Sequence, residues 1–492
     1  MIRYFNKFSL KKIYRRYFVL EYDLVVVGSG PAGEKAAVKA AYFGYKVAIV
    51  DKGEFLGGTG VNTGTIPSKA LKETAIYYSG ERDKGLYGVD KVLTHQADMN
   101  DYMYRKSLVV KNLRKEVKEN LDIHGVDIYL GTASFKDKNK IHISGPIEEV
   151  IYGKFILLAT GSSPYHPKEF LFDDKNIFDS DSILNIKTLP SSICILGAGV
   201  IGCEYATIFS KLGCEVILIN KSDKVLPFLD TEVSKALLEY MKQCKIRVVL
   251  NNSVSRIEFT KDENKPLRII FETKQEILVD SFLYAAGRKG NINSLKLDVA
   301  KVKYSGRGNI IVDSNYQTSV ENIYAVGDVV GFPALASTSM DQGRVAVQHM
   351  FQTKDTIKVH EILPFGIYTI PEVSMVGLTE QEATEKGISY CTGSAEYKDI
   401  PRGMIVGSIF GFLKIIFRRQ DRVVIGIHII GDQATEYIHY GMYIVEHSLN
   451  LHEIINKVFN YPTFHDLYKY AAYDGLGNLS GHKVKGGMLN QK

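Results

Sequence analysis

Two glycine-rich hexads occur in one chain, Gly28-Ser29-Gly30-Pro31-Ala32-Gly33 and Gly197-Ala198-Gly199-Val200-Ile201-Gly202. The spacing G-x-G-x-x-G lets a backbone close on the pyrophosphate of a dinucleotide. The first glycine permits a tight turn, the second lets the chain approach the phosphates at a helix N-terminus, and the third allows close helix–strand packing. Gly28, Gly30 and Gly33 are thus candidate ligands of one nucleotide, and Gly197, Gly199 and Gly202 of another. After the first hexad an apolar run ends at Asp51, placed to accept hydrogen bonds from a ribose hydroxyl. After the second, the matching position is Asn220, followed by Lys221. A carboxylate there would accept the 2′-hydroxyl of NAD and repel the 2′-phosphate of NADP. An amide imposes no such repulsion and Lys221 adds attraction, so the pair reads as tolerant of both nucleotides. The alternative is that Asn220 points away and specificity is set elsewhere.

The elements that must hold these turns show in the residue pattern. Tyr22 to Val27 reads as a strand entering the first hexad, an alanine-rich helix follows, and Lys46 to Val50 reads as the next strand. Ile193 to Leu196, the stretch through Glu204-Tyr205-Ala206, and Glu215 to Ile219 repeat that order. A length of 492 residues implies about three domains. The composition, 45% hydrophobic and 24% charged with 43 glycines, suits an α/β enzyme, and no apolar run of roughly 18 residues exists to span a bilayer. The five cysteines (Cys194, Cys203, Cys214, Cys244 and Cys391) show no C-x-x-C spacing, so neither a disulfide framework nor a metal site is expected and a reducing compartment fits. The net charge of +6 comes from residues 1–20, which hold Arg3, Lys7, Lys11, Lys12, Arg15 and Arg16 and no acid. The remainder is balanced and gives no reason to expect nucleic acid. The basic leader reads as a solvated extension or as an amphipathic presequence. The expected location is therefore cytoplasmic, or the mitochondrial matrix if the leader is a targeting segment.

The segment Gly57-Gly58-Thr59-Gly60-Val61-Asn62-Thr63-Gly64-Thr65-Ile66-Pro67-Ser68-Lys69 resembles the redox loop of the flavin disulfide reductases, the FAD-dependent pyridine nucleotide-disulfide oxidoreductases. Gly60 and Thr65 stand where that family has its two cysteines, and neither can form a thiolate. Phe155 to Gly161 is similar to the strand leaving the family's FAD domain, Tyr284 to Arg288 to the strand returning to it, and Ile323 to Asp328 to the second FAD motif. The resemblance covers about residues 21 to 475. It implies an α/β fold with two Rossmann-like dinucleotide-binding domains, for FAD and NAD(P), plus a C-terminal α+β interface domain. The implied segments are an extension (1–20), FAD-binding (21–165), NAD(P)-binding (166–280), FAD-binding again (281–350), interface and dimerisation (351–478) and a flexible tail (479–492). For FAD it implies Gly28, Gly30, Gly33, Asp51, Lys69, Thr160, Gly161, Gly287, Arg288 and Asp328. For NAD(P) it implies Gly197, Gly199, Gly202, Asn220 and Lys221. The implied assembly is a homodimer or higher homo-oligomer.

The family's lysine beside the flavin is Lys69, with Glu204 as its ion-pair partner. The C-terminal H-P-T-x-x-E of the disulfide reductases here reads Tyr461-Pro462-Thr463-Phe464-His465-Asp466, so Tyr461 and Asp466 hold the catalytic positions. His465 falls off the motif and reads as an ordinary surface or interface histidine. Within the family the chain resembles the soluble flavin pyridine nucleotide transhydrogenases, although one cysteine usually remains in their loop and Gly60 replaces it. The resemblance implies NADPH + NAD⁺ = NADP⁺ + NADH, run ping-pong through FAD without a redox disulfide. Two alternatives stay open: an NAD(P)H diaphorase or quinone reductase, and a non-catalytic paralogue of dihydrolipoamide dehydrogenase.

Overall fold

The computed structural model describes residues 19–80, 97–146, 148–354 and 357–481. The basic leader lies outside them except for Val19 and Leu20, and Leu20 already opens the first strand. The last helix, Asp466–Ser480, runs two residues into the expected tail, and residues 482–492 lie outside the described part. The described residues group into two compact units: those within 1–68, 106–165 and 287–359 in the first, and those within 69–105, 166–286 and 360–492 in the second.

The first unit is built on a seven-stranded sheet. Strand Leu20–Val27 lies at its centre, between Val47–Asp51 and Glu149–Leu158, and pairs parallel with both. Asp127–Leu130 continues the parallel side, Ile323–Ala325 pairs with Glu149–Leu158, and Lys140–Ser144 and Thr132–Phe135 add antiparallel strands. Leu24, Val25 and Val26 are fully buried, as a near-continuous apolar run requires of a strand covered on both faces. Helix Pro31–Tyr42 follows the first hexad, and Ala36, Ala37 and Ala40 give it a small-residue face with no exposure.

The second unit repeats this plan in a five-stranded parallel sheet, in the order Arg247–Val249, Glu215–Ile219, Ser192–Leu196, Ser281–Tyr284, Ile177–Asp179. Helix Val200–Lys211 follows the second hexad. A separate antiparallel sheet of five strands, Phe365–Ile367, Glu372–Gly377, Val424–Gly431, Phe412–Arg418 and Tyr390–Glu396, forms the C-terminal part with helices Ala434–Glu446 and Asp466–Ser480. Among the described residues no helix is long and apolar enough to cross a membrane.

Two expectations change. The run Tyr284 to Arg288 is not one strand: Ser281–Tyr284 ends in the nucleotide sheet, and Arg288–Gly290 pairs separately with Ser162–Pro164. The described residues within 69–105, expected inside the first FAD segment, group with the second unit. The cause is apolar packing, since Leu71, Ala75, Met99 and Met103 share one core with Phe209, Leu226 and Leu283.

The second unit also holds a buried cation. Lys414, on strand Phe412–Arg418, lies 2.9 Å from Asp230 and 2.9 Å from Glu232, and is hydrogen-bonded to Glu380. Asp230 caps helix Thr231–Gln243. These three carboxylates are close enough together to hold a metal ion, and the lysine ammonium is hydrogen-bonded among them. Burial pushes the Asp230 carboxyl up, but the Lys414 hydrogen bond and charge outweigh it and hold the group below the usual carboxylate range.

Candidate nucleotide and redox site

Each hexad is built the same way. Gly28 has φ +105° and a Cβ there would lie 2.3 Å from the Ala159 carbonyl oxygen. Gly197 has φ +108° and would meet Ala285 O at 2.8 Å. Backbone bonds fix both turns: Gly28 N–H to Val50 O at 2.7 Å and Gly197 N–H to Ile219 O at 2.8 Å. At the third glycines a Cβ would collide with the turn itself, 1.9 Å from Gly28 O at Gly33 and 1.8 Å from Gly197 O at Gly202. The middle glycines differ. A Cβ on Gly30 meets nothing nearer than Gly58 Cα at 3.9 Å, and one on Gly199 meets nothing within 4 Å. Open space in front of a helix N-cap is what a pyrophosphate needs.

In the first unit this space opens into a cavity of about 430 Å³. Gly28, Gly30, Asp51, Thr160, Gly161 and Asp328 line it, and so do Gly60 and Thr65. Asp51 accepts the Ser29 N–H at 2.7 Å and hydroxyl at 2.6 Å on Oδ2, and the Gly53 N–H at 2.8 Å on Oδ1. A carboxylate has about four acceptor positions, so one remains for a ribose hydroxyl. Thr160 Oγ1 is buried without a hydrogen-bond partner. Asp328 Oδ2 accepts the Ser162 hydroxyl at 2.9 Å. Gly287 and Arg288 are not on the cavity wall; Arg288 donates instead to Ser162 Oγ at 2.9 Å and to Ser162 O at 2.8 Å, and so orients the hydroxyl that binds Asp328. Sequence reasoning missed Arg114. Its Nε donates to Asn62 Oδ1 at 2.6 Å and its guanidinium lies 3.8 Å from the Phe55 ring centroid on the cavity wall. No local spacing announces a residue brought in from a distant helix. The glycine cradle, the orphaned threonine hydroxyl and the wall carboxylates Asp51 and Asp328 fit a flavin adenine dinucleotide.

In the second unit Asn220 copies the position of Asp51. Its Oδ1 accepts the Ala198 N–H at 3.2 Å, and its Nδ2 donates to Lys224 O at 2.9 Å. Both ends of the amide are thus engaged by its own loop, while Lys221 is exposed. Lys69 and Glu204 meet as expected, Nζ to Oε2 at 2.7 Å, with Glu204 buried. Lys69 lies one helical turn beyond Thr65 in helix Thr65–Tyr78. Tyr461 is 70% exposed, while Asp466 is buried in the first turn of its helix with Oδ2 lacking a hydrogen-bond partner. His465 is half-buried, ringed by Tyr437, Tyr440, Phe459 and Tyr468 at 5.7–6.2 Å between ring centroids. That burial pushes its pKa down, and the charge of Asp466 partly offsets this. No cysteine is on the cavity wall. Burial pushes the thiols of Cys194 and Cys203 up, and that of Cys214 up to about 12, which disfavours thiolate.

Comparison with known proteins agrees with this geometry. The sequence profile of the pyridine nucleotide-disulphide oxidoreductases matches residues 22–343, and the profile of their dimerisation domain matches residues 363–472. The chain is 40% identical over 462 residues to the soluble pyridine nucleotide transhydrogenase of Mycobacterium bovis (strain BCG / Pasteur 1173P2), covering 93% of this chain and 98% of that protein. It is 40% identical over 474 residues to the protein of the same name from Pseudomonas savastanoi pv. phaseolicola, covering 94% and 99%. Among solved structures, the HOCl-induced flavoprotein disulfide reductase RclA from Escherichia coli superposes with a TM-score of 0.82 at 26% identity, covering 91% of this chain and 99% of that one. LpdA from Mycobacterium tuberculosis shares the fold, with a TM-score of 0.84 at 22% identity over 92% and 99% of the two chains. With the profile covering well over half the chain and the two nucleotide cradles intact, the protein belongs to the pyridine nucleotide-disulphide oxidoreductases, FAD-dependent enzymes that work with NAD(P).

Proposed function

We propose that the protein exchanges hydride between nicotinamide nucleotides, NADPH + NAD⁺ = NADP⁺ + NADH, with ping-pong kinetics and no redox disulfide. The observation that carries this reading is that Gly60 and Thr65, the positions of the family's two cysteines, are on the cavity wall and bring no sulfur to it. Bound FAD supplies a two-electron carrier between the two nucleotides. The chain's own residues bind and orient. The N-terminus of helix Pro31–Tyr42 and Asp51 hold the flavin dinucleotide, and the N-terminus of helix Val200–Lys211 holds NADPH and NAD⁺ in turn. Lys69, fixed by Glu204, supplies a cation that favours charge developing on reduction without any proton transfer. Tyr461 and Asp466 replace the acid–base pair that a thiol would need, which accords with the missing thiols. The name shared by the 40%-identical relatives supports the same activity. A cytoplasmic setting suits five free cysteines.

Anaerobic reduction of the yellow protein by NADPH, followed by addition of NAD⁺, tests the reading. Rapid reoxidation with stoichiometric NADH is expected. Reduction without reoxidation by NAD⁺, but with reoxidation by quinone, would show a diaphorase instead.

Nucleotide tolerance is read at Asn220. Asn220→Asp keeps an oxygen for the Ala198 N–H but sets a negative oxygen against the Lys224 carbonyl, which now faces the amide donor. The KM for NADPH is expected to rise about tenfold, with that for NADH changed little. Equal losses for both nucleotides would mean the residue does not sense the 2′ position.

The double substitution Gly60→Cys/Thr65→Cys is expected to leave lipoamide and glutathione reduction at about 1% or less of the hydride-exchange rate, because exposed Tyr461 is no base for a thiol. A Cβ at Gly60 lies 3.1 Å from the Pro31 ring, so the cysteine requires only a small adjustment. Efficient disulfide reduction by this variant would refute the role assigned to the C-terminal exchange.

A further inference from the structure

Helix Thr65–Tyr78 carries a second lysine, Lys72, that the proposed chemistry does not use. It is 3% exposed, and its ammonium is hydrogen-bonded to Glu372 Oε1. The other Glu372 oxygen accepts the Thr435 N–H at 3.1 Å and the Thr435 hydroxyl at 2.7 Å. Both lysines face one ring: Lys69 Nζ lies 4.8 Å from the Tyr368 centroid and Lys72 Nζ 5.7 Å. Tyr368 also holds the acid. Its backbone N–H donates to Glu204 Oε1 at 2.9 Å while Glu204 Oε2 takes Lys69. The Ile370 N–H donates to Thr207 Oγ1 at 3.2 Å and pins the same segment to helix Val200–Lys211. Burial keeps the Tyr368 phenol above its ordinary range, so the hydroxyl stays protonated against the Thr435 side chain.

A lysine stem is long and flexible, and a single carboxylate fixes the distance of its ammonium better than its direction. A carboxylate oriented from behind together with an aromatic face fixes both. We propose that Tyr368 is a positioning residue for Lys69: its N–H sets the Glu204 carboxylate, its ring faces the ammonium, and the Lys72–Glu372–Thr435 chain holds the ring in place. This rests on the reading of Lys69 as the cation that favours flavin reduction.

The test uses FAD-loaded protein and reads flavin reduction by NADPH alone, so the outcome with NAD⁺ does not enter. A failure to exchange hydride with NAD⁺ would therefore overturn the proposed function and leave this inference standing. Tyr368→Leu is expected to slow flavin reduction about fivefold and to move the flavin midpoint potential to a lower value. Tyr368→Phe, which keeps ring and N–H, should restore both, and in a Lys69→Met background Tyr368→Leu should have no further effect on either. Tyr368→Met serves the same comparison if the leucine variant does not retain flavin. Equal slowing in the Lys69→Met background, or a lower melting temperature with rate and potential unchanged, would overturn the proposal.

Discussion

Lys69→Met is expected to slow reduction of the bound flavin by NADPH about a hundredfold, the usual scale for losing one preorganised group at a site of developing charge. Two physical terms combine. The variant removes the positive charge proposed to favour flavin reduction, and it leaves Glu204 buried with, among the described residues, the Tyr368 N–H as its side-chain partner. An unpaired buried carboxylate costs about 3–5 kcal/mol, so the melting temperature should fall together with the rate. Adding Glu204→Gln separates the terms, because the neutral amide keeps the Tyr368 hydrogen bond and needs no cation. Stability should recover in the double variant while the rate does not. Stopped-flow bleaching of the flavin band reads the first effect and thermal denaturation the second. A rate within threefold of wild type in Lys69→Met would remove the lysine from the mechanism.

The second large effect concerns the third glycines. Gly33→Ala places a Cβ 1.9 Å from Gly28 O, and Gly202→Ala places one 1.8 Å from Gly197 O. Both obstacles are backbone atoms of turns fixed by strand-to-strand hydrogen bonds, so neither can yield as a flexible side chain would. The strain falls on the tight turn at Gly28 or Gly197, from which the rest of each hexad is built. Gly33→Ala is expected to purify without flavin, with less than about a tenth of the wild-type FAD content, since each 1.4 kcal/mol lost is tenfold in binding. Gly202→Ala should stay yellow and lose reduction by NADPH, with KM raised at least about tenfold. Flavin absorbance per chain and NADPH titration distinguish the two. If Gly202→Ala lost its flavin and Gly33→Ala kept it, the assignment of the cradles would have to be exchanged.

What the sequence made legible and what it hid have different physical origins. Gly28, Gly33, Gly197 and Gly202 could be read in advance because a tight turn and close helix packing restrict residue type at fixed local spacing. Asp51 was readable because it ends an apolar strand, whereas Asp328 came only from the resemblance of Ile323 to Asp328 to the family's second FAD motif. The ends of the Asn220 amide were not, since two loop atoms decide its orientation and neither is implied by composition. Nothing in the spacing of Lys72, Tyr368, Glu372 and Thr435 points to their meeting, because tertiary packing alone brings these distant residues together. The strand expected over Tyr284 to Arg288 failed similarly: its apolar pattern is continuous with Ser281–Tyr284, but Gly287, at φ +153°, breaks it before Arg288. Grouping of the described residues within 69–105 with the second unit likewise depends on buried Leu71 and Met99, whose partners are remote in sequence.

A cavity wall without sulfur has a consequence for the conditions under which the enzyme can work. Peroxide and hypochlorous acid disable a redox-active cysteine pair by driving its thiolate to sulfenic acid and beyond. Here the positions that would carry that liability are a glycine and a threonine, and Cys194, Cys203 and Cys214 are held as protonated thiols away from solvent. The cavity wall thus offers an oxidant no thiol to attack, unlike that of a relative that keeps the cysteine pair.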